Sequence, residues 1–314
     1  MATKAKASSS SCLSFLKDAL LLPTRNAKLF VPVLLLLAVP GFLIQATNVL
    51  FVHPLTQDIL RRINEIKNMD PSSADYAELV AEVLKEAKQL AAIAIAIMIV
   101  TFVLGFARQI LAFFAASTTY SGDRYSLPEL FSKVIMQGRR LMGPLVTTAT
   151  VSVLEIACAA LLAALLQLAM RHSAGALYTA VLLVLPFLAF LYLNVVFIVA
   201  VAVSVADPER RGVGALRQAW RLMTRVWRKE GCVLVVVVHL VAMVPSPLYA
   251  VALGCSNKSV PMALALLSVY ALLSGLVQIF YFAAATVYYY QAMESKEEVA
   301  HGDYVSIPTT EATV

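Results

Sequence analysis

Charged residues are scarce in this 314-residue chain: Asp, Glu, Lys and Arg together make up 14% of it, whereas 60% is hydrophobic. Soluble proteins average about 25% charged and about 45–50% apolar residues, so ordinary soluble domains are excluded. The 12 glycines and 13 prolines are too few for a collagen-like or low-complexity chain. Lipid is the remaining solvent, and the composition predicts a membrane protein.

The sequence also lacks the motifs that identify a reaction. Its four histidines have no metal-ligand spacing, and no His-Glu-x-x-His run occurs. A Gly-x-Ser-x-Gly elbow and a phosphate-binding loop are missing as well. We therefore expect no enzymatic activity, no metal and no cofactor.

Six apolar runs are long enough to cross a bilayer. A hydrocarbon core about 30 Å thick needs roughly 20 apolar residues in a helix. Lipid offers no water to the backbone, so runs of this length are helices. The predicted fold is an all-α, polytopic transmembrane helical bundle with six spans. The spans are 29–52, 91–114, 141–170, 174–206, 231–253 and 261–290.

Lysine and arginine are unevenly distributed over the connections. The N-terminal segment has five, the link between spans two and three has four, and the link between spans four and five has seven. Of the opposite links, two have one each, and the longer one, 53–89, has five bases against seven acids. The positive-inside rule then predicts that both termini are cytoplasmic. The six-span membrane domain, 29–290, is flanked by a cytoplasmic segment, 1–28, and a polar cytoplasmic tail, 291–314. The net charge of +6 is thus a topology signal and does not indicate nucleic-acid binding.

The start of the chain bears on its localisation. The first apolar run is too long for a cleavable signal peptide and follows 28 mostly polar residues. The acid-free start, rich in Ser, Ala and Lys, is typical of a plastid transit peptide, although a disordered cytosolic tail is favoured. We expect the endomembrane system or the plasma membrane, and the plastid envelope is the less favoured alternative.

Amphipathic stretches precede spans one, three and five on the predicted cytoplasmic side. In the clearest, from 214 to 229, Leu216, Trp220, Met223 and Trp227 recur at helical spacing. A helix with Trp and Leu on one side and Arg on another lies in the headgroup zone. Topological anchoring is the favoured explanation, and specific binding of anionic lipids is the alternative. The candidate headgroup ligands are Arg217, Arg221, Arg225 and Arg228.

Each amphipathic helix, together with the two spans that follow it, forms one of three weak predicted repeats, at 13–114, 127–206 and 214–290. Repeats occur in many transporters but are also found in other bundles, so they do not decide the function. The segment 54–88 is different, because apolar residues at helical spacing lie on both sides of a break at 70–73. It predicts a small helical hairpin on the non-cytoplasmic side.

Glu155 is the most informative polar residue, because it lies near the middle of span three. An ionised carboxylate there costs about 3 kcal/mol unless it is paired or neutral. Arg108 in span two is the expected partner, since spans two and three are consecutive and antiparallel. A buried structural pair is favoured over a proton or cation site. In such a site Asn194 and His239 would be neighbours of the carboxylate.

The two tails carry candidate signals. Tyr304 and Ile307 have the spacing of an adaptor-sorting signal, which needs an extended and exposed segment. A sorting adaptor is thus a candidate partner of the C-terminal tail. Cys12, next to the first amphipathic helix, is a candidate for palmitoylation. For both signals a chance match or an inert thiol is the favoured explanation.

A family resemblance rests on a span that ends in an acidic residue and proline, followed by Gly and a small-residue amphipathic helix. These features are at 197–208, Gly212, Gly214, Ala215 and Ala219, and 15–20 and 116–120 fit the same layout. The chain resembles a plant family of six-span membrane proteins of uncharacterised function. More distantly, it is similar to the membrane domain attached to some bacterial glycerophosphodiester phosphodiesterases. Asp207 stands where Glu is expected, and no phosphodiesterase catalytic domain is present, so the resemblance does not imply enzymatic activity.

Two functions remain open on this basis. The first is a non-enzymatic, multi-pass integral membrane protein in membrane organisation or trafficking, which contacts the bilayer and its anionic lipids. The alternative is a small transporter or channel that uses Glu155. A wet cavity lined by Glu155, Asn194 and His239 would favour the alternative.

Overall fold

The computed structural model describes residues 14–70, 72–136, 138–171, 176–207, 209–256 and 259–305. Every regular element in these ranges is helical, so the predicted all-α class is confirmed. The helices are α1 (Ser14–Arg25), α2 (Ala27–Thr47), α3 (His53–Ile66), α4 (Ala74–Tyr120), α5 (Leu127–Met136), α6 (Gly138–Arg171), α7 (Ala176–Ala206), α8 (Val213–Arg221), α9 (Arg228–Met243), α10 (Ser246–Ser256) and α11 (Val260–Val305). Two π-helical turns, Asn48–Val52 and Leu222–Val226, follow α2 and α8.

Six helical stretches of the described chain are long and apolar enough to cross a membrane, as in an integral membrane protein. Each overlaps one of the six predicted spans. The stretches are Ala27–Ile66, Asp75–Tyr120, Leu141–Ala169, Leu183–Ala206, Arg228–Ser256 and Val260–Ser295.

Several helices are longer than the spans that the sequence predicts. The chain stays helical from α2 through the first π turn into α3, because Thr47 and His53 both keep helical dihedral angles. Helix α11 runs on to Val305, past the predicted span limit at 290. Residues 291–305 include three Glu and two Ala, which favour helix, and no proline. Span limits and helix limits therefore differ here.

Prolines and a glycine account for two of the breaks between helices. Helix α9 ends at Met243 and α10 begins at Ser246, next to Pro245 and Pro247, because proline cannot donate a helical hydrogen bond. Gly212 precedes α8 with φ of 52° and ψ of −121°, which only glycine adopts without strain. Its N–H donates to Thr147 Oγ1 at 2.8 Å, which holds the turn against α6.

The chain divides into two compact units. Of the described residues, those up to Val33, those of Gln109–Val241 and those from Gln278 onward form the first, which we call the α7 unit. Leu34–Arg108 and Ala242–Val277 form the second, which we call the hairpin unit.

The core of the α7 unit is the second half of α7. Every residue from 195 to 205 is buried, as expected for a helix that is packed on all sides. Helix α7 packs against α6 and α8. Other elements of this unit also contribute buried side chains, and in α11 every residue from 282 to 289 is buried. The buried residues include Phe15, Ala19 and Leu22 of α1, Phe113 of α4, and Ala283 and Ala284 of α11.

An aromatic cluster joins α1, α9 and α11 within this unit. The ring of Phe15 lies 6.0 Å from those of Trp227 and Tyr288, and the latter two are 5.6 Å apart. The buried Tyr288 hydroxyl donates to the carbonyl oxygen of Trp227 at 3.0 Å. A Cβ on Gly231 would lie 3.1 Å from this hydroxyl, so glycine permits the close approach of α9 and α11.

The hairpin unit has a smaller core, formed by Ala46, Val49, Ala252 and Leu267. Its two helices α3 and α4 are connected by ion pairs of one arginine. Arg62 contacts Glu82 at 2.7 Å and Glu86 at 3.4 Å on α4, and Asp58 at 3.4 Å on α3 itself. Helices thus occupy both parts of the segment 54–88, and the second is the start of α4, which runs on unbroken to Tyr120. The place of this segment on the non-cytoplasmic side stays a prediction.

Helices occur at all three places where the sequence predicts amphipathic stretches, as α1, α5 and α8. In α1 the buried residues are Phe15, Leu16, Ala19 and Leu22, whereas Leu20 and Leu21 are exposed. The location of α1, α5 and α8 at a membrane interface and the threefold repeat stay predictions.

Candidate functional site

Four exposed arginines follow one another along α8, the second π turn and the start of α9. We call Arg217, Arg221, Arg225 and Arg228 the arginine face. None of the four forms an ion pair with a described residue, since the salt bridges of the described chain involve other arginines. Their guanidinium groups are therefore available to ligands outside the chain.

The opposite side of α8 is fixed by small residues. Ala215 and Ala219 are fully buried, and Leu222 and Met223 continue this buried side into the π turn. Trp220, which the sequence places with the apolar residues, is 45% exposed. Its ring meets that of Tyr192 edge to face at 6.0 Å. The helix thus presents arginines and a tryptophan outward, a combination typical of helices at the headgroup level.

Glu155 lies on α6 and is half-buried. Its carboxylate forms no hydrogen bond or ion pair with any residue that the structure describes, and Tyr281 of α11 lies within electrostatic range. The structure thus supplies no partner that would neutralise this carboxylate within the described part of the α7 unit.

Arg108 belongs to the hairpin unit, where it bonds to backbone carbonyls. Its Nε donates to the oxygen of Leu104 at 3.2 Å, and Nη1 donates to the oxygen of Leu37 at 3.3 Å. The pairing of Arg108 with Glu155 stays a prediction.

Asn194 and His239 are not brought to Glu155 by any hydrogen bond among the described residues. Asn194 is half-buried at the start of the buried part of α7. The Nδ1 atom of His239 lies 2.8 Å from the oxygen of Val235, one turn earlier in its own helix. The two cavities described for the chain, one polar and one apolar, have none of these three residues among their lining side chains.

The polar cavity lies in the α7 unit, where α4, α5, α7 and α11 meet. It has a volume of about 230 Å³, and we call it the hydroxyl pocket. Phe114, Leu130 and Val205 form part of its apolar wall. Its polar lining residues are Ser117, Thr118, Ser121, Asp123, Lys133 and Tyr290.

The hydroxyl groups of this pocket are held by neighbours. Ser117 Oγ and Tyr290 Oη are 2.8 Å apart, and the ring of Tyr290 stacks on Tyr120 with centroids 4.6 Å apart. Thr118 donates to the oxygen of Phe114 at 2.8 Å. Two helices, α4 and α11, thus fix the positions of the pocket's polar groups.

Helix α5 brings Lys133 to the pocket. The Lys133 ammonium donates to the Tyr125 hydroxyl and lies 4.1 Å from the centroid of that ring. At the start of the helix Glu129 Oε2 accepts from the Ser126 N–H at 2.8 Å, which is one of the two hydrogen bonds of a capping box. This hydrogen bond lowers the pKa of Glu129. Asn26 Nδ2 donates to the oxygen of Tyr125 at 3.2 Å and ties the same loop to the α1–α2 corner.

No motif in the sequence predicts the hydroxyl pocket. Ser117 and Thr118 lie in the stretch 116–120 that fits the family layout, and Lys133 is one of the four bases between spans two and three, but no motif connects them to Tyr290. A signal does exist, since hydroxyl residues cluster at the end of α4 and a charged loop follows. Only the packing of α11 against α4 shows that they share a cavity.

The tail candidates fall at or beyond the limits of the described chain. Cys12 and Ile307 lie outside the described residues. Tyr304 lies in the last turn of α11. Because a sorting signal is read in extended form, this turn would have to unwind before an adaptor could bind. Palmitoylation and sorting stay predictions.

No group of three or more His, Cys, Asp and Glu residues with metal-binding geometry occurs in the part of the chain that the structure describes.

Comparison with known proteins gives one match. A family model described as a domain of unknown function (DUF8558) matches residues 9–299. No curated protein and no solved structure matches significantly. Because the match spans nearly the whole chain, the predicted resemblance to a family of uncharacterised function is confirmed at this level. The plant origin and the similarity to phosphodiesterase membrane domains stay predictions.

Proposed function

We propose that this chain, which belongs to the DUF8558 family, is a non-enzymatic, multi-pass membrane protein that organises anionic lipids of the cytoplasmic leaflet. In this proposal the arginine face lies at the cytoplasmic headgroup level, and both termini are cytoplasmic. The membrane is one of the endomembrane system or the plasma membrane, where such a protein would act in membrane organisation or trafficking.

The observation that carries the proposal is the division of α8 into two sides. Its small residues are buried against α7, so the orientation of the helix is fixed by the bundle. Arg217 and Arg221 of this helix, followed by Arg225 in the π turn and Arg228 at the start of α9, are exposed and form no ion pair with a described residue. The negative potential of a cytoplasmic leaflet attracts such residues by about 1 kcal/mol each. Four exposed arginines thus favour anionic over zwitterionic lipids around this part of the protein.

The test is the lipid composition that the protein retains. We would reconstitute the full chain in nanodiscs of phosphatidylcholine with phosphatidylserine, extract it in mild detergent, and quantify the bound lipids by mass spectrometry. The variant replaces all four arginines with Gln. The matched control replaces four exposed bases of the hairpin, Arg61, Lys67, Lys85 and Lys88, and so removes the same charge elsewhere.

We expect the wild type and the control to retain phosphatidylserine several-fold above its bulk fraction, and the arginine-face variant to lose this enrichment. Equal enrichment in the wild type and the arginine-face variant would contradict the proposal. Protease protection of tags at the two ends tests the orientation, and tags digested from the cytoplasmic side are the expected result.

A second candidate function, a small transporter or channel, is favoured by one observation. Glu155 is half-buried in α6 and has no hydrogen-bond or ion-pair partner among the described residues. A carboxylate kept in lipid despite its cost is a functional candidate. Proton uptake into proteoliposomes distinguishes the two functions: flux in the wild type that is lost in Glu155→Gln supports transport, and equal rates in both exclude a role for this carboxylate.

A further inference from the structure

The hydroxyl pocket combines a cation, free hydroxyl donors and a carboxylate within one small cavity. It is independent of the arginine face, because its polar groups come from α4, α5, α11 and the loop after α4. It is also independent of Glu155, which does not line it. Its chemistry therefore needs a separate explanation.

One part of the pocket suits a phosphate. The Lys133 ammonium has three N–H donors, and one of them is used by the Tyr125 hydroxyl. In the hydrogen bond between Ser117 and Tyr290, one hydroxyl donates to the other, so the second keeps its proton for a ligand. Ammonium and hydroxyl donors placed together bind phosphate oxygens by charge-assisted hydrogen bonds.

Asp123 makes the pocket unsuitable for a phosphate alone. Its carboxylate lines the same cavity and forms no ion pair with a described residue. A bare phosphate would be repelled by it, whereas a ligand that carries both a phosphate and an ammonium would satisfy Lys133 and Asp123 together. A primary ammonium, which has three donors, suits a carboxylate better than a quaternary one, which has none.

We propose that the hydroxyl pocket binds the headgroup of an ethanolamine-type phospholipid, with the phosphate against Lys133, Ser117 and Tyr290 and the ammonium against Asp123. The volume of about 230 Å³ is below the roughly 300–1,000 Å³ of pockets for drug-sized ligands, which suits a headgroup. The apolar wall at Phe114, Leu130 and Val205 would contact the glycerol and the first acyl carbons.

The experiment measures ligand-dependent melting of the purified full chain in detergent. The probes are dihexanoyl phosphatidylethanolamine, dihexanoyl phosphatidylcholine, dihexanoyl phosphatidic acid and soluble O-phosphoethanolamine. A ligand that binds the folded state raises the melting temperature with its concentration, and the dependence gives an apparent Kd. The variants are Asp123→Asn and Lys133→Met, and their matched controls are Glu78→Gln and Lys85→Met, exposed residues of the hairpin.

For the wild type and both controls we expect phosphatidylethanolamine to bind about tenfold or more tightly than the other three probes. Asp123→Asn should abolish the preference for phosphatidylethanolamine over phosphatidic acid, and Lys133→Met should weaken both by about tenfold or more, as expected for a lost hydrogen bond to a charged group. Asp123 is exposed, so its variant remains informative if Lys133→Met fails to fold.

Three results would overturn the proposal. Equal affinity of the wild type for phosphatidylethanolamine and phosphatidylcholine would exclude recognition of the primary ammonium. An unchanged lipid preference in Asp123→Asn would exclude the assigned role of the carboxylate. Equal binding of soluble O-phosphoethanolamine would exclude a membrane lipid as the source and would assign the site to a free phosphate ester.

Discussion

Helices α4 and α7 have nearly the same apolarity but opposite surroundings. The most apolar windows of their spans have mean hydropathies of 2.7 and 2.6. None of the α4 window is buried within the chain, whereas 61% of the α7 window is. In water, helices of such high hydropathy would both be buried in the protein. In lipid an apolar residue is equally well solvated by acyl chains and by protein, so hydropathy does not determine burial. Apolarity therefore identifies a span without telling which span is central.

Small residues do not distinguish the two helices either. Ala200, Ala202 and Ser204 lie in the buried part of α7, and Ala283, Ala284 and Ala285 lie in the buried part of α11. Small side chains let helix backbones approach closely, which is the main source of helix association in lipid. The middle of α4 also has alanines, and they are exposed together with its large side chains; these residues include Ala91, Ala92, Ala94, Ala96, Ile95, Met98, Ile99 and Phe102.

The largest expected effect tests the contrast between buried and exposed apolar residues. The same substitution is made at two places in α4, one buried and one exposed. Phe113→Ala removes a fully buried ring, which lies 4.8 Å from that of Phe282. It should lower the free energy of unfolding by about 3–5 kcal/mol. Phe102→Ala removes a ring that is 48% exposed and should have less than about a third of this effect. Thermal melting in one detergent compares the two, and similar losses would contradict the division.

The aromatic cluster gives the next effect. Tyr288→Phe keeps the ring and removes the hydroxyl that donates to the oxygen of Trp227. The loss should be about 1 kcal/mol, because the oxygen of Trp227 loses this hydrogen bond and keeps only the one from the Gly231 N–H at 2.9 Å. Tyr270→Phe in the hairpin unit is the control, because its hydroxyl forms no hydrogen bond within the described chain while its ring contacts Tyr249. An equal loss in the control would show that the hydroxyl of Tyr288 does not matter.

A weaker effect is expected for the ion pairs of the hairpin. Arg62→Gln breaks the contacts with Glu82 and Glu86 that connect α3 and α4. Because the carboxylates are partly exposed, the loss of stability should be smaller than in Tyr288→Phe and should shrink as salt is added. Hydrogen exchange of the α3 amides measures this loss, since it reports the local opening of the hairpin. Arg61→Gln, whose only described pair is with Glu65 on the same helix, should leave the exchange nearly unchanged.

The sequence was sufficient for the helices and insufficient for the site, for a physical reason. Composition and run length predict six spans because the bilayer imposes both. The residues of the arginine face can be predicted from the sequence, because they follow one another at intervals of three or four residues. The burial of Ala215 and Ala219, in place of Trp220, cannot be predicted in this way. Ser117, Lys133 and Tyr290 meet only through tertiary packing, and a single sequence carries no signal for a contact between residues so far apart.

The smallest effect concerns pH and the helix that carries Lys133. The pKa of Glu129 is lowered from its ordinary value of 4.5 by hydrogen bonds with Ser126. An acid whose pKa is lowered by folding stabilises the folded state at a pH above its pKa in the unfolded chain. This stabilisation is lost as the pH falls through the pKa of the folded state. Protection of α5 amides against hydrogen exchange, corrected for the intrinsic rate, should therefore decline only below about pH 4.5.

Glu129→Gln keeps an acceptor without a charge, so the protection of α5 in this variant should be slightly lower at neutral pH and should not change with pH across this range. Because the amides of α10 lie in a helix without an acidic residue, their protection serves as the internal reference. A decline in α5 that is the same in the variant would assign the pH dependence to another group.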